Sequence, residues 1–408
     1  MKKYSFPKDK IKIYLFEKIH PEARLTFEEA GYSVTTVPDS RQGEALDEIL
    51  ENAHVIGVRS RSKVLEENLA KAKRLLAIGC FTVGTDQVEL DAARAHGVPV
   101  FNAPHSSTRS VAELAISSLI GLSRRLGEVN SRMHQGEWNK SASGSYEIRG
   151  KTLGVVGYGH IGQQVGLLGE AVGLNVVFYD VVKKLPLGRA TQIESLEKLL
   201  ATCEFVSLHV PGTEETRGMM SQERISQMKD GAYLLNLSRG NVVDIDALSE
   251  ALKSKKLAGA AIDVFPSEPQ SNQEAFESPL CGLENVLLTP HIGGSTEEAQ
   301  RNIGREVADS LIRFLDNGST QGAVKFPVVH LPAFPSSHRI LNVHFNRPGA
   351  LMDVNALITK IGANINSQYL STFEDVGYLI MDIDKELAEE LHHEIANLPN
   401  SIKTRILF

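Results

Sequence analysis

Short β-branched runs alternate with amphipathic helical stretches twice along this chain, and no other feature restricts its fold as much. The first series has runs at residues 11–16, 33–37, 54–58, 75–79 and 98–102, separated by segments rich in Glu, Ala and Leu. The second has runs at 152–157, 175–180, 205–208, 232–236, 259–263 and 286–289. Strands separated by helix-length segments cannot pair as hairpins, so they return through crossover helices and form parallel sheets. Between Thr108 and Gln135, the spacing of Val111, Leu114, Ala115, Leu119 and Leu122 predicts a long apolar helix linking the two series. A further helix is expected over 297–316. Beyond it, Pro327, Pro332 and Pro335 exclude helix and central strand and predict a linker.

The tail reads strand at 339–345, helix at 350–361, strands at 364–372 and 377–383, helix at 385–398 and strand at 402–408. That βαββαβ order makes a ferredoxin-like α+β module. The 408 residues suffice for two to three domains. With 43 Lys and Arg against 50 Asp and Glu, the formal charge is −7. Such a chain has no bulk attraction for nucleic acid or a membrane surface, so an anionic ligand has to be met by a local cluster of cations. Cys80, Cys203 and Cys281 form no CxxC pair, no metal-ligand spacing occurs, and no apolar run approaches the roughly 20 residues of a bilayer span. The first ten residues do not have the pattern of a secretion signal. The expectation is a cytoplasmic protein with a small-molecule ligand and no metal.

The sharpest local signal follows the run at 152–157. Gly157-Tyr158-Gly159-His160-Ile161-Gly162 leads from strand into helix as G-x-G-x-x-G, and Asp180 closes the next run eighteen residues after Gly162. Gly157 allows the tight turn, Gly159 lets the backbone approach a pyrophosphate, and Gly162 lets helix pack on strand. Asp180 can accept hydrogen bonds from ribose hydroxyls and repels a 2′-phosphate, which favours NAD over NADP. The alternative is a glycine-rich turn beside a surface Asp. Asn236-Leu237-Ser238-Arg239-Gly240, then Asp263 to Pro269, then Thr289-Pro290-His291-Ile292-Gly293-Gly294, each follow a later run of the series. In a doubly wound sheet such strand ends line one crevice, so Arg239, Glu268 and His291 arrive together. A His serves as a base near neutral pH, a carboxylate stabilises its imidazolium, and a forked guanidinium suits a carboxylate.

These motifs resemble those of the D-isomer-specific 2-hydroxyacid dehydrogenases, in the bacterial short form that ends in an ACT-type regulatory domain. The resemblance implies two doubly wound parallel-sheet domains and the C-terminal module. The first, flavodoxin-like and substrate-binding, spans residues 1–105 and 297–326. A Rossmann NAD domain follows over 106–296, then a linker over 327–337 and the ACT domain over 338–408. It implies reversible NAD-dependent oxidation of D-3-phosphoglycerate at the start of L-serine biosynthesis. His291 would be the acid/base, Glu268 its partner, and Arg239 the group that holds the substrate carboxylate. Gly157, Gly159, His160, Ile161, Gly162, Asp180, Leu237, Ser238, Arg239, Asp263, His291, Ile292, Gly293 and Gly294 would line the NAD site. In this scheme Asp263 reaches the nicotinamide carboxamide and His209-Val210-Pro211 lies beside the dinucleotide, a structural role at the strand end being the alternative for the latter.

The substrate phosphate calls for cations. Arg59 and Arg61, on the loop after the run at 54–58, are the candidates, with Lys140 a third; solvated surface residues are the alternative. The resemblance further implies a homotetramer inhibited by L-serine, with His344, Asn346 and Asn364 carrying the effector. Asn346 could instead cap the helix at Ala350, and Asn364 could be a turn residue. Ser336-Ser337 stand where a glycine pair forms the hinge in the family. Two other functions fit the same triad: a dehydrogenase for glyoxylate, hydroxypyruvate or 2-oxoglutarate, and a non-catalytic NAD-sensing corepressor.

Overall fold

A near-continuous apolar strand can be buried only if both of its faces are covered, and four of the first five strands meet that condition, the second lying partly exposed at the sheet edge. The computed structural model describes residues 7–269, 271, 273–332 and 337–407. In it β1 (Ile13–Phe16), β2 (Val34–Val37), β3 (Val55–Val58), β4 (Ala77–Cys80) and β5 (Val100–Phe101) pair in parallel, with β3 and β4 wholly buried. Alternate side chains divide between two cores. Val55 and Ala77 pack with Phe27, Val307 and Leu311, whereas Ile56 and Ile78 pack with Leu46, Leu50 and Leu69 on the opposite face.

The second series forms its own sheet from β6 (Thr152–Val156), β7 (Asn175–Tyr179), β8 (Thr191–Gln192), β9 (Phe205–Leu208), β10 (Ala232–Asn236), β11 (Leu257–Ile262) and β12 (Val286–Leu288). Its order, β12-β11-β10-β9-β6-β7-β8, reverses direction between β6 and β9, which is the switch point where a doubly wound sheet opens a crevice. Helix Thr108–Ser123 covers one face through Val111, Ala115 and Leu119. The helical pattern expected to reach Gln135 breaks at Arg125, which is left-handed (φ 53°), and resumes as Leu126–His134. Residues 107–299 form one compact unit, and residues 1–106 with 300–408 form the other.

In the latter unit, β13 (Ala323–Val324) adds antiparallel to β5, giving the order β13-β5-β4-β3-β1-β2. The tail follows as β14 (His338–Phe345), β15 (Ile365–Phe373), β16 (Val376–Ile383) and β17 (Ser401–Leu407), an antiparallel sheet ordered β15-β16-β14-β17. Helices Ala350–Ile361 and Ala388–Ala396 cover one face through Val354, Ile358, Leu391 and Ile395. The other face, with Leu341, Val343, Tyr378 and Ile380, joins the same core as Phe101, Leu311 and Phe314. Here the tail is no tethered appendage. The stretch read as a linker is packed: Val329 and Leu331, with Phe326 just before it, are buried in that core, and Thr320 binds the carbonyl of Pro327 and the amide of Val329. Arg94, almost fully buried, adds ion pairs to Glu374 and Asp375. Prolines fit this segment because it needs extended backbone, not a ladder. Pro335 and Ser336 lie outside the described residues.

Candidate active site

β6 runs into the glycine turn. A Cβ on Gly157, whose φ is +88°, would come within 2.5 Å of the His209 carbonyl oxygen. A Cβ on Gly162 would lie 2.1 Å from the Gly157 carbonyl, so helix His160–Ala171 packs directly on the turn. At Gly159 a Cβ would meet nothing within 4 Å, and no side chain caps the helix that follows. An open cradle at a helix N-terminus is what a pyrophosphate requires. Asp180 stands beside it, with Oδ2 accepting the Tyr158 amide (2.9 Å) and Oδ1 the Val182 amide (3.1 Å), so its carboxylate is fixed at the tip of β7. His160 is exposed and Ile161 half-buried at the start of the helix. His209 bonds Ser207 Oγ through Nε2 (2.8 Å), and burial pushes its pKa down to about 4, so it is neutral. These residues fit a bound dinucleotide.

Three loops at the ends of β10, β11 and β12 build the rest. Asn236 wraps the first: its Nδ2 donates to the Arg239 carbonyl (2.9 Å), and its Oδ1 accepts the Ser238 amide (3.1 Å) and hydroxyl (2.8 Å). Leu237 and Ser238 are buried beneath it. Gly240 lies so close to the second loop that a Cβ would be 2.0 Å from the Phe265 carbonyl carbon. In that second loop the Phe265 amide donates to Glu268 Oε1 (3.1 Å). His291, on the third, sets its Nδ1 2.9 Å from Glu268 Oε2 and 3.1 Å from Oε1, which leaves Nε2 to exchange a proton.

The His291 backbone is left-handed, φ 53°, a conformation that only a few per cent of non-glycine residues adopt, His among the more frequent of them. Asp263 accounts for it. Its carbonyl accepts the His291 amide (2.8 Å), while its buried carboxylate accepts the Thr289 hydroxyl (2.6 Å) and the Ile292 amide (2.8 Å) on Oδ1, and the Gly293 amide (2.9 Å) on Oδ2. Asp263 is therefore a positioning residue for the His291 loop, and a carboxamide contact would have to share those oxygens. A Cβ on Gly294 would press on Ser107, 3.2 Å away, which keeps that end of the loop close to the helix start.

The Glu268 hydrogen bond raises the His291 pKa above the ordinary imidazole value, burial opposes it, and the Glu268 charge adds to the rise. For Glu268, burial alone would raise the pKa. The hydrogen bond and charge of His291, with the Phe265 amide and the Arg239 charge, outweigh it and hold the carboxyl below its usual range. The pair favours an imidazolium facing a carboxylate, as an acid/base couple needs.

In the unit that contains the first sheet, Arg59 and Arg61 follow β3 on a loop tied to the buried carboxylate of Glu17. That carboxylate accepts the amides of Arg59 (3.3 Å), Arg61 (3.0 Å) and Ser62 (2.7 Å). Burial lowers the Arg59 pKa, Glu17 counters this, and Arg61 lowers it further. Sequence reasoning misses Glu17, because a lone Glu after a strand has no spacing that marks it. Lys140 is exposed on the coil after Leu126–His134.

In the tail His344 and the two asparagines part company. His344 is buried, with Nδ1 3.0 Å from Asn342 Oδ1 and its ring against Gly377, whereas Asn346 and Asn364 are exposed. Asn346 donates to the Glu374 carbonyl (3.0 Å) and does not cap the helix, whose N-cap is Gly349. Asn364 donates to Asn366 Oδ1 (3.3 Å). Among the described residues no group of three His, Cys, Asp or Glu could hold a metal ion, and no helix is long and apolar enough to cross a membrane.

Residues 116–293 match the NAD-binding domain of D-isomer specific 2-hydroxyacid dehydrogenases. The chain is 50% identical over 404 residues to a D-3-phosphoglycerate dehydrogenase of Dictyostelium discoideum, covering 99% of each protein. The chain belongs to the D-isomer specific 2-hydroxyacid dehydrogenases. A second relative, the D-3-phosphoglycerate dehydrogenase of Escherichia coli K12, is 51% identical over 411 residues, 100% of each. Two solved structures are similar over about three-quarters of this chain. The TT0316 protein of Thermus thermophilus has a TM-score of 0.70 at 32% identity, covering 77% of this chain and 100% of its own. D-Lactate dehydrogenase of Aquifex aeolicus, complexed with NAD and lactic acid, has 0.67 at 31%, covering 76% and 98%. Residues 340–403 match an AHAS small subunit-like ACT domain. As a 2-hydroxyacid dehydrogenase this chain is an NAD-dependent oxidoreductase with two parallel-sheet domains and a C-terminal ACT module.

Proposed function

We propose that the chain oxidises D-3-phosphoglycerate to 3-phosphohydroxypyruvate with NAD, reversibly, as the first step of L-serine formation. The identity of about half the residues to enzymes of that name, from end to end and through the ACT module, carries this reading. Bound NAD supplies the hydride acceptor. His291 Nε2 takes the hydroxyl proton while Nδ1 rests on Glu268, whose carboxylate stabilises the imidazolium that results. Arg239 holds the substrate carboxylate, and its charge reaches both members of the pair. Arg59 and Arg61, with Lys140, meet the phosphate. The test is turnover with NADH across 3-phosphohydroxypyruvate, hydroxypyruvate, glyoxylate and 2-oxoglutarate. Preference for another keto acid would move the chain to a sister activity, and no turnover of any would favour a sensor.

The fixed carboxylate of Asp180 reads the adenosine ribose on this scheme. Asp180→Ser removes charged hydrogen bonds of about 1.5–3 kcal/mol, so the KM for NADH should rise roughly ten- to a hundredfold while NADPH improves relative to it. Equal constants for both cofactors before and after the change would refute the assignment.

L-Serine is the proposed effector of the ACT module, through Asn346 and Asn364 at its surface, which lie at opposite ends of the sheet, with the buried His344 at the Asn346 end. Titration calorimetry on the full chain should show serine heat that Asn346→Ala and Asn364→Ala abolish, with uninhibited turnover kept. A homotetramer is proposed on the exposed apolar set of Val129, Met133, Trp138 and Tyr146, Trp138 being 81% exposed.

A further inference from the structure

Where the ACT module meets the first domain, a cavity of about 960 Å³ is lined by residues of both. Lys403 and Arg405 point into it from the same face of β17, two residues apart, and Lys73, Arg74 and His54 line it from the first domain. Its single carboxylate is Asp316, already engaged by Lys8 (2.8 Å) and by the Tyr32 hydroxyl. Arg405 donates through Nη2 to the Leu315 carbonyl (3.3 Å) and lies over the Phe314 ring, but its Nη1 is buried with no hydrogen-bond partner among the described residues. Lys403 donates to the Leu75 carbonyl, and among the described residues no carboxylate lies within ion-pair distance of Lys73, Arg74, Lys403 or Arg405, the Asp316 charge reaching Arg405 only from further off. Burial and the neighbouring Arg405 bring the Lys403 ammonium down to about 8.

Partly buried cations that outnumber their one carboxylate are costly, and packing two modules together across them adds repulsion. An anion in the cavity removes both costs. We propose that this cavity binds a phosphate group, free or as a small phosphomonoester, and that the bound anion ties the ACT module to the first domain. The spread of guanidinium and ammonium donors suits a tetrahedral dianion, and the volume leaves room for an organic substituent. The site is separate from the Arg59–Arg61 pair of the proposed substrate phosphate.

The test is equilibrium dialysis of radiolabelled inorganic phosphate against the full chain carrying Arg59→Ala and Arg61→Ala, which silences the other candidate subsite. Saturable binding of one phosphate per chain is expected. Arg74→Glu, on an exposed side chain that can change without unfolding the protein, should weaken it at least about tenfold, the equivalent of one charge-assisted hydrogen bond. Lys403→Met should do the same. Glycerol 3-phosphate displacing the label more tightly than cold phosphate identifies an ester as the ligand, and the reverse order identifies free phosphate. As a second readout, phosphate at constant ionic strength should raise the melting temperature of the parent protein and leave that of Arg74→Glu unmoved. No saturable binding at millimolar phosphate, binding unchanged by both variants, or equal displacement by acetate would overturn the proposal.

Discussion

His291→Ala is expected to lower turnover by roughly 10²–10⁴, the usual range for losing a positioned acid/base group, while NADH still binds. The geometry makes the effect specific, because the ring is held through Nδ1 by the Glu268 carboxylate. Glu268→Gln supplies the complementary test. The carboxylate holds the His291 pKa up, so its neutralisation should let that pKa fall. With His291 as the proposed acid/base, oxidation needs its neutral form and loses rate as pH drops through this pKa; keto-acid reduction needs the imidazolium and loses rate as pH rises through it. Both limbs should therefore move to lower pH in Glu268→Gln. Near-normal turnover in His291→Ala, or limbs that stay in place in Glu268→Gln, would break the assignment.

The largest stability effect is expected at Arg339 in β14. Its guanidinium meets Asp382 with two bonds, 2.7 and 2.9 Å, and also donates to the carbonyls of Asn317 and Pro332, both at 2.9 Å. The two side chains are 6% and 2% exposed, so Arg339→Ala strands a carboxylate that keeps only the Ser367 hydroxyl. Stranding one partner of such a pair costs about 3–5 kcal/mol. At about 2–4 °C per kcal/mol for a unit of this size, the melting transition should drop by roughly 10 °C. Arg339→Met combined with Asp382→Leu should recover much of the loss, because two apolar side chains need no counter-charge. A single-mutant loss below about 1 kcal/mol would show that water reaches the pair.

What could be read from the sequence depended on how local the constraint was. The glycine turn, Asp180 and the strand-end Arg, Glu and His lie within motifs whose spacing is set by a strand entering a helix, so one stretch of chain carries each signal. Glu17 binds amides more than forty positions away, and Asp263 clamps a loop nearly thirty positions on. Neither pairing leaves a periodic trace. The segment 327–337 read as a linker because prolines exclude helix and ladder, but they do not exclude burial, and Val329 and Leu331 are core residues. His344 looked like a ligand-facing residue, yet alternation along β14 and its contact with Gly377 put the ring inside.

That packed segment bears on how such a chain could acquire or shed its C-terminal module. Phe314, Phe326, Val329 and Leu331 shelter under the tail's sheet, facing Leu341, Val343 and Tyr378, and the Tyr378 hydroxyl donates to the Gly318 carbonyl at 2.7 Å. Deleting the tail by a simple stop codon would leave these side chains as a sticky apolar surface and that carbonyl without its donor. A viable ancestor or descendant lacking the module has to repaint this patch with polar residues in the same step, or cover it with another copy of itself. Gain and loss of effector control are thus tied to the solubility of the catalytic half, and regulation in this lineage is harder to discard than its position at the end of the chain suggests.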